Sequence, residues 1–332
     1  MNRATLLLLS ALAFAVPFSA TKVSAQPAQA APVDAAALTT EAEALLDEWT
    51  GQPQILDLAA RKLLQAFQAN RSYAKTYIQI CRLQIMAGYR YQQVFETVAL
   101  GTAEKAILRA IELGPNDPDA YVLQGHLYTN MRRFSEAKQA LQTAQKIGTD
   151  NPWLVLNWGA LLDKLGAFDQ ASEFYRSVIA KGTTNRKAMS TAYSELTSYY
   201  VLKHQWDDAE KLYQVHIRFE PASAWVRGNY ASWLANNGEF ERAIPYARDA
   251  LRLMEYGAGR VTLSTALYGA WAAMRKKGKD LEKAEAYFAE AKVMEPDLDE
   301  VAASTSQYAA SRIIAEMLVE RGLVDKSRIP GR

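Results

Sequence analysis

The chain has 332 residues, 49% hydrophobic and 22% charged, a balance that suits a folded chain with a large buried core and excludes wholesale disorder. Its formal charge is +2; residues 1–25 hold Arg3 and Lys22 and no acid, so the rest balances 36 basic against 36 acidic side chains. Such a balance exerts no pull toward nucleic acid or anionic lipid, so no nucleic-acid partner is expected.

The first predicted element is a signal peptide. Arg3 gives a positive start, Leu6 to Val16 is an apolar run too short to anchor, and Val23-Ser24-Ala25 places small residues at the –3 and –1 positions before Gln26. Cleavage after Ala25 and a periplasmic or secreted product are expected, with an uncleaved anchor as the competing reading. No later segment offers about 18 uninterrupted apolar residues, so no membrane span is expected. Residues 26–38, "QPAQAAPVDAAAL", read as a flexible leader. The single cysteine, Cys81, cannot form an internal disulfide; within "YIQICRLQIM" it reads as a buried small hydrophobe.

From residue 39 onward the elements are amphipathic helices in pairs. Residues 39–117 hold degenerate copies: one pair over 39–70, and a unit over 74–115 with a longer connection. Residues 118–296 hold clear ones. Gly125 and Gly159 lie 34 residues apart, as do Phe134-Ser-Glu-Ala137 and Phe168-Asp-Gln-Ala171; Trp206-Asp-Asp-Ala209, Phe240-Glu-Arg-Ala243 and Leu281-Glu-Lys-Ala284 continue the series. Each unit reads as a helix A, a turn, and a helix B; in the unit over 118–148, Ala137, Leu141, Ala144 and Ile147 form the stripe of helix B. Ser135, Asp169 and Asp207 are expected to accept hydrogen bonds from free N–H groups where helix B starts. Pro115, Pro221 and Pro296 are expected just beyond the ends of B helices. Residues 297–332 read as a C-terminal capping helix and tail.

With these small-residue positions the chain resembles the tetratricopeptide repeat family, in an exported bacterial form. The resemblance rests on Tyr121, Gly125, Tyr128, Ala137, Leu141 and Ala144, and more thinly on Gly159, Ala171, Ala209, Tyr213, Pro221, Ala231, Ala243, Ala250, Ala284, Phe288, Ala291 and Pro296. It implies an all-α fold, a right-handed α-solenoid of stacked helix-turn-helix repeats, each unit contacting its neighbours. In that frame Gly125 and Gly159 let helices A and B cross closely, Ala231 does so with one methyl, and Ala137, Ala171, Ala209 and Ala243 face them.

No pattern of catalytic residues, metal ligands or cofactor-binding loops stands out. His126, His204 and His216 lie in separate contexts without ligand spacing, no nucleophile elbow or phosphate loop is present, and neither an enzyme nor a bound metal or cofactor is expected. The resemblance directs attention to the concave groove. Its inner-wall positions fall on His126, Asn130, Trp153, Asn157, Glu195, Trp225, Asn229 and Asn236. Trp153/Asn157 recurs as Trp225/Asn229 on one helix face. Asparagine can hold a peptide amide, and tryptophan offers broad apolar contact; packing between repeats is the alternative for both. The clamp of chaperone-tail binders is absent apart from Asn157, since Val122, Thr191 and Glu195 stand at its other positions. The expected function is a non-enzymatic scaffold that binds a cell-envelope protein or peptide segment, with carbohydrate binding in polysaccharide or cell-wall assembly as the alternative.

Overall fold

A computed structural model describes residues 34–90 and 94–329; the expected signal peptide, the cleavage site and most of the leader lie outside them. The described residues form helices α1 (Ala35–Glu48), α2 (Pro53–Ala69), α3 (Ala74–Gly88), α4 (Thr97–Leu113), α5 (Pro118–Asn130), α6 (Phe134–Ile147), α7 (Pro152–Lys164), α8 (Phe168–Lys181) and α9 (Arg186–Leu202). They continue with α10 (Trp206–Phe219), α11 (Ala224–Asn236), α12 (Phe240–Leu253), α13 (Gly257–Lys277), α14 (Leu281–Met294), α15 (Leu298–Ser306) and α16 (Arg312–Glu320). The chain is an all-α solenoid of paired helices. None of its described helices is long and apolar enough to cross a membrane.

The degenerate N-terminal stretch is two genuine pairs, α1/α2 and α3/α4, packed along their lengths. The longer connection in the second is a small hairpin, β1 (Tyr89–Arg90) and β2 (Val94–Phe95), antiparallel with Tyr89 opposite Phe95 and their rings edge to face at 5.5 Å. The segment expected as one C-terminal cap is two short helices, α15 and α16, packed on each other and, through α16, on α13.

Helix starts follow local chemistry, though not always at the residues expected. Asp117 and Asn151 cap α5 and α7 by accepting from the N–H groups of Asp119 and Trp153, each with proline next at the first helical position. The B helices α6, α8 and α10 begin at the aromatic residue itself. Their capping positions are Arg133, Ala167 and Gln205, which supply no side-chain cap. Ser135, Asp169 and Asp207 therefore sit one residue inside the helix rather than at its cap; the two aspartates favour the positive end of the helix dipole from the first turn. The A-to-B turns share a backbone device: Arg132, Gly166, His204 and Gly238 all have φ between 56° and 80°, reversing the chain in the left-handed region.

The glycines at the A/B crossing have a partner other than the one expected. A Cβ on Gly159 would lie 2.5 Å from Cε1 of Tyr175, and one on Gly125 would run into Leu141. The space is thus occupied by the residue one turn beyond the facing alanine, with only the Ala137 carbonyl, 3.5 Å from the Gly125 position, recording close backbone approach. Cys81 is fully buried in the core of α3, and burial pushes its thiol well above the ordinary range.

The described residues divide into two compact units, one ending at Tyr199 and the other starting at Tyr200. The first has a continuous core from Ala42 and Leu46 through Ile80, Leu83 and Ile107 to Leu127 and Leu141. The second is built around Tyr230, Leu234, Leu267, Tyr268 and Trp271, with Ile314 and Leu318 of α16 completing it.

Candidate functional site

In the first unit the A helices α1, α3, α5 and α7 stack side by side. Their inner faces, with the α8–α9 loop, line a groove of about 730 Å³. Ile78 and Gln79 of α3, Val122 and His126 of α5, and Trp153 and Asn157 of α7 belong to its lining. The ends of the wall are tied together. Lys187, at the start of α9, donates from Nζ to the main-chain oxygens of Leu46 (2.8 Å) and Trp49 (2.7 Å), carbonyls at the C-terminal end of α1. A lysine suits that place, where the helix dipole is negative and the last carbonyls lack helical partners. Arg82, also in the lining, pairs with Asp47 of α1.

Four of the eight expected residues gather at this groove. His126, Trp153 and Asn157 line it, and Asn130 lies one turn along α5, its Nδ2 3.0 Å from Nε2 of His126. Asn157 is buried between repeats, the alternative to an open groove position. Its side chain is 4% exposed, and Nδ2 donates to the Val122 carbonyl at 2.9 Å, joining α7 to α5. The same amide acts on the His126 imidazole, favouring its charged form, but burial outweighs it and holds the ring below the usual histidine range. His126, Asn130 and Asn157 thus form a polar bridge between successive A helices. Leu156, next to Asn157 on α7, is also buried.

Glu195 stands elsewhere. It sits on α9, outside that lining, under the influence of Asp163 and Lys164 of α7. Asp163 accepts from the Tyr175 hydroxyl. Burial, then repulsion from Asp163, pushes the Glu195 carboxyl up to about 7, with Lys164 opposing. Since the unfolded value is about 4.3, the folded state holds a proton that the unfolded state releases. This contribution to stability is complete below about pH 4.3 and is lost as pH rises through 7. Glu195→Gln should therefore stabilise the chain relative to wild type by about 1–3 kcal/mol more at pH 8 than at pH 4. Melting curves of the two proteins across that range are the check, and parallel pH dependences would sink the assignment. His216, which burial takes down to about 4, has the opposite sign: its stability is present above about pH 6.5 and falls away on acidification, equally in both proteins.

Trp225, Asn229 and Asn236 lie in the second unit, on the exposed side of α11. Trp225 is 40% exposed, its ring 4.7 Å from that of Tyr256. The Tyr256 ring fills space left by Gly228 and Gly259. The shared repeat position of Asn157 and Asn229 thus hides different surroundings. Asn157 is bonded to α5, whereas Asn229 is exposed on α11.

Sequence reading missed Gln79. It lies in the groove lining on α3 and is 6% exposed, and its Oε1 is buried with no hydrogen-bond partner among the described residues. The signal available was a pair of glutamines, Gln79 and Gln84, interrupting the apolar run "YIQICRLQIM". In the second unit the unforeseen feature is a polar knot: Arg242 bridges Glu210 and Glu239, and the Tyr230 hydroxyl donates to Glu210 at 2.9 Å.

Residues 118–148, α5 and α6, match the family described as Tetratricopeptide repeat. Among curated proteins the chain is similar to the PsbB mRNA maturation factor Mbb1, chloroplastic, of Chlamydomonas reinhardtii, 34% identical over 83 residues; the match spans 24% of this chain and 12% of that protein. Among solved structures it resembles yeast Tom70, with a TM-score of 0.54 at 17% identity over 97% of this chain and 70% of the other. It also resembles pilF of Pseudomonas aeruginosa, at 0.50 and 15% over 68% and 94%. At these identities the structural likenesses speak for the fold alone, stacked helical repeats.

Proposed function

We propose that this chain is a non-enzymatic, exported adaptor that holds a segment of a cell-envelope protein in the groove of its first unit. The observation that carries the reading is the groove itself. It is concave, about 730 Å³, lined by mixed polar and apolar side chains, and tied end to end by Lys187. That size and lining suit a ligand held by a few placed polar groups. The tetratricopeptide match at α5 and α6 supports a protein as the occupant. Export rests on Arg3, the Leu6–Val16 run and Val23-Ser24-Ala25.

A photo-crosslinking residue placed at Trp153, in the groove, tests the reading against one at Lys138, exposed on α6. In envelope extract the Trp153 position should give a discrete protein adduct that the Lys138 position does not. Adducts from Lys138 alone, or capture of glycan without protein at Trp153, would overturn it. N-terminal sequencing of the mature chain should begin at Gln26; Met1 on the mature protein would refute export.

A further inference from the structure

In the second unit, four residues share the exposed side of α11. Trp225, Asn229, Ser232 and Asn236 follow one another at helical spacing, so their side chains leave one face of the helix. Trp225, Asn229 and Asn236 are exposed and Ser232 is half-buried. The stripe runs about 16 Å along the helix, room for a short run of sugar rings. It holds no charge and no aliphatic side chain. Its polar groups are also unspent. Asn229, Ser232 and Asn236 make no hydrogen bond to another described residue, whereas the neighbouring Asn237 donates to the Trp233 carbonyl at 2.9 Å.

The tryptophan has a built seat. Its ring lies 4.7 Å from that of Tyr256, tilted by 50°. Tyr256 fits there because α11 and α13 carry glycine beside it: a Cβ on Gly228 would lie 2.0 Å from its hydroxyl oxygen, and one on Gly259 would lie 2.6 Å from its ring. Glycine within a helix is disfavoured relative to alanine. Two side chains are thus given up to hold a ring against a tryptophan that is itself 40% exposed. Packing alone gives no reason for an indole so supported to stay open to solvent.

We propose that this stripe is a carbohydrate site, taking a short neutral oligosaccharide with one sugar ring flat on Trp225 and the next along Asn229, Ser232 and Asn236. Sugar rings present faces of C–H groups, which lie well on the electron-rich face of an indole. Their hydroxyls both donate and accept, and between them amide and hydroxyl side chains meet both needs. Charge agrees. The stripe carries none, and Glu255, next to Tyr256 in the chain, is paired with Arg260 at 3.5 Å, so a neutral ligand is the match and an anionic sugar is not. Tyr256 is a positioning residue that acts through Trp225. The site shares no residue with the groove of the first unit and does not depend on the function proposed for that groove.

The test titrates the full chain, by calorimetry, with neutral oligosaccharides of glucose, galactose, mannose and N-acetylglucosamine. At least one should bind wild type. Trp225→Ala should weaken that binding about ten-fold or more. Asn229→Ala should weaken it about three- to ten-fold while melting within a degree or two of wild type. Trp206→Ala, which removes an equally exposed tryptophan from α10, should leave it unchanged. Tyr256→Phe keeps the supporting ring and should bind as wild type does, whereas Tyr256→Leu should bind several-fold more weakly; equal binding by these two would refute the seat. Binding to none of the oligosaccharides, binding that neither Trp225→Ala nor Asn229→Ala weakens, or an equal loss in Trp206→Ala overturns the proposal. So does a displayed peptide library that yields Trp225-dependent binders while the sugars do not bind, a result that gives the stripe to a protein.

Discussion

Gly159→Val should lower the melting temperature by about 5–15 °C, a loss of about 2–5 kcal/mol. A Cβ at residue 159 would lie 2.5, 2.9 and 3.1 Å from three atoms of the Tyr175 ring. The ring cannot swing aside cheaply. It is 1% exposed, and its hydroxyl is bonded to Asp163, one turn beyond Gly159 on the same helix. The added side chain must displace a rigid buried ring, or part α7 from α8, and either movement strains or breaks the hydroxyl–carboxylate bond. Overpacking alone typically costs about 1–3 kcal/mol, and a hydrogen bond to a charged group contributes about 1.5–3 more. Even Gly159→Ala should destabilise, although alanine is favoured over glycine in a helix by about 1 kcal/mol. Gly101 is the control. It lies within α4, where an added Cβ meets nothing within 4 Å, so Gly101→Ala should gain about 0.5–1 kcal/mol. Thermal unfolding of the three variants against wild type decides it. If Gly159→Ala behaves like Gly101→Ala, the Tyr175 ring is not fixed over residue 159.

That pair of glycines shows what the sequence carried and what it withheld. The recurrence of Gly125 and Gly159, twelve residues before Ala137 and Ala171, revealed a crossing of helices. It could not say which residue fills it, because Leu141 and Tyr175 belong to the same stripe as the alanines and read as ordinary core. The α3/α4 unit kept its alanines, but its long connection contains no glycine-bounded turn to announce the β1–β2 hairpin. The division at Tyr199 and Tyr200 falls among the tyrosines of α9, with no change in composition to mark it. The candidate site was harder still. Repeat register fixes which face of its own helix a side chain leaves from, and His126, Trp153 and Asn157 do line one groove. Whether such a residue meets solvent or a neighbouring helix depends on how closely the preceding A helix packs, which periodicity does not encode. Gln79 escaped for a related reason: its repeat is degenerate, and a polar residue amid apolar ones in a helix gives no sign of whether it has a partner.

Asn157→Ala and Asn229→Ala should part company although the two asparagines share a repeat position. At Asn157 the substitution removes the donor to the Val122 carbonyl and an amide that helps accommodate His126, all at a residue 4% exposed. The Val122 carbonyl lies inside α5 and has a second lone pair for its helical bond, so it is not left bare. The imidazole loses a polar neighbour in a place where burial already disfavours charge. A cavity the size of an amide also opens between α5 and α7. The expected loss is about 1–3 kcal/mol. Asn229 is exposed, and truncating it should change stability by less than about 0.5 kcal/mol. Asn157→Leu separates the two parts of the cost: it refills most of the volume without restoring a hydrogen bond, and should remain less stable than wild type. Unfolding curves in urea, compared at equal slope, give the differences directly. Equal and negligible effects at both positions would mean that the Asn157–Val122 bond contributes nothing net, and that α5 and α7 are held together by apolar packing alone.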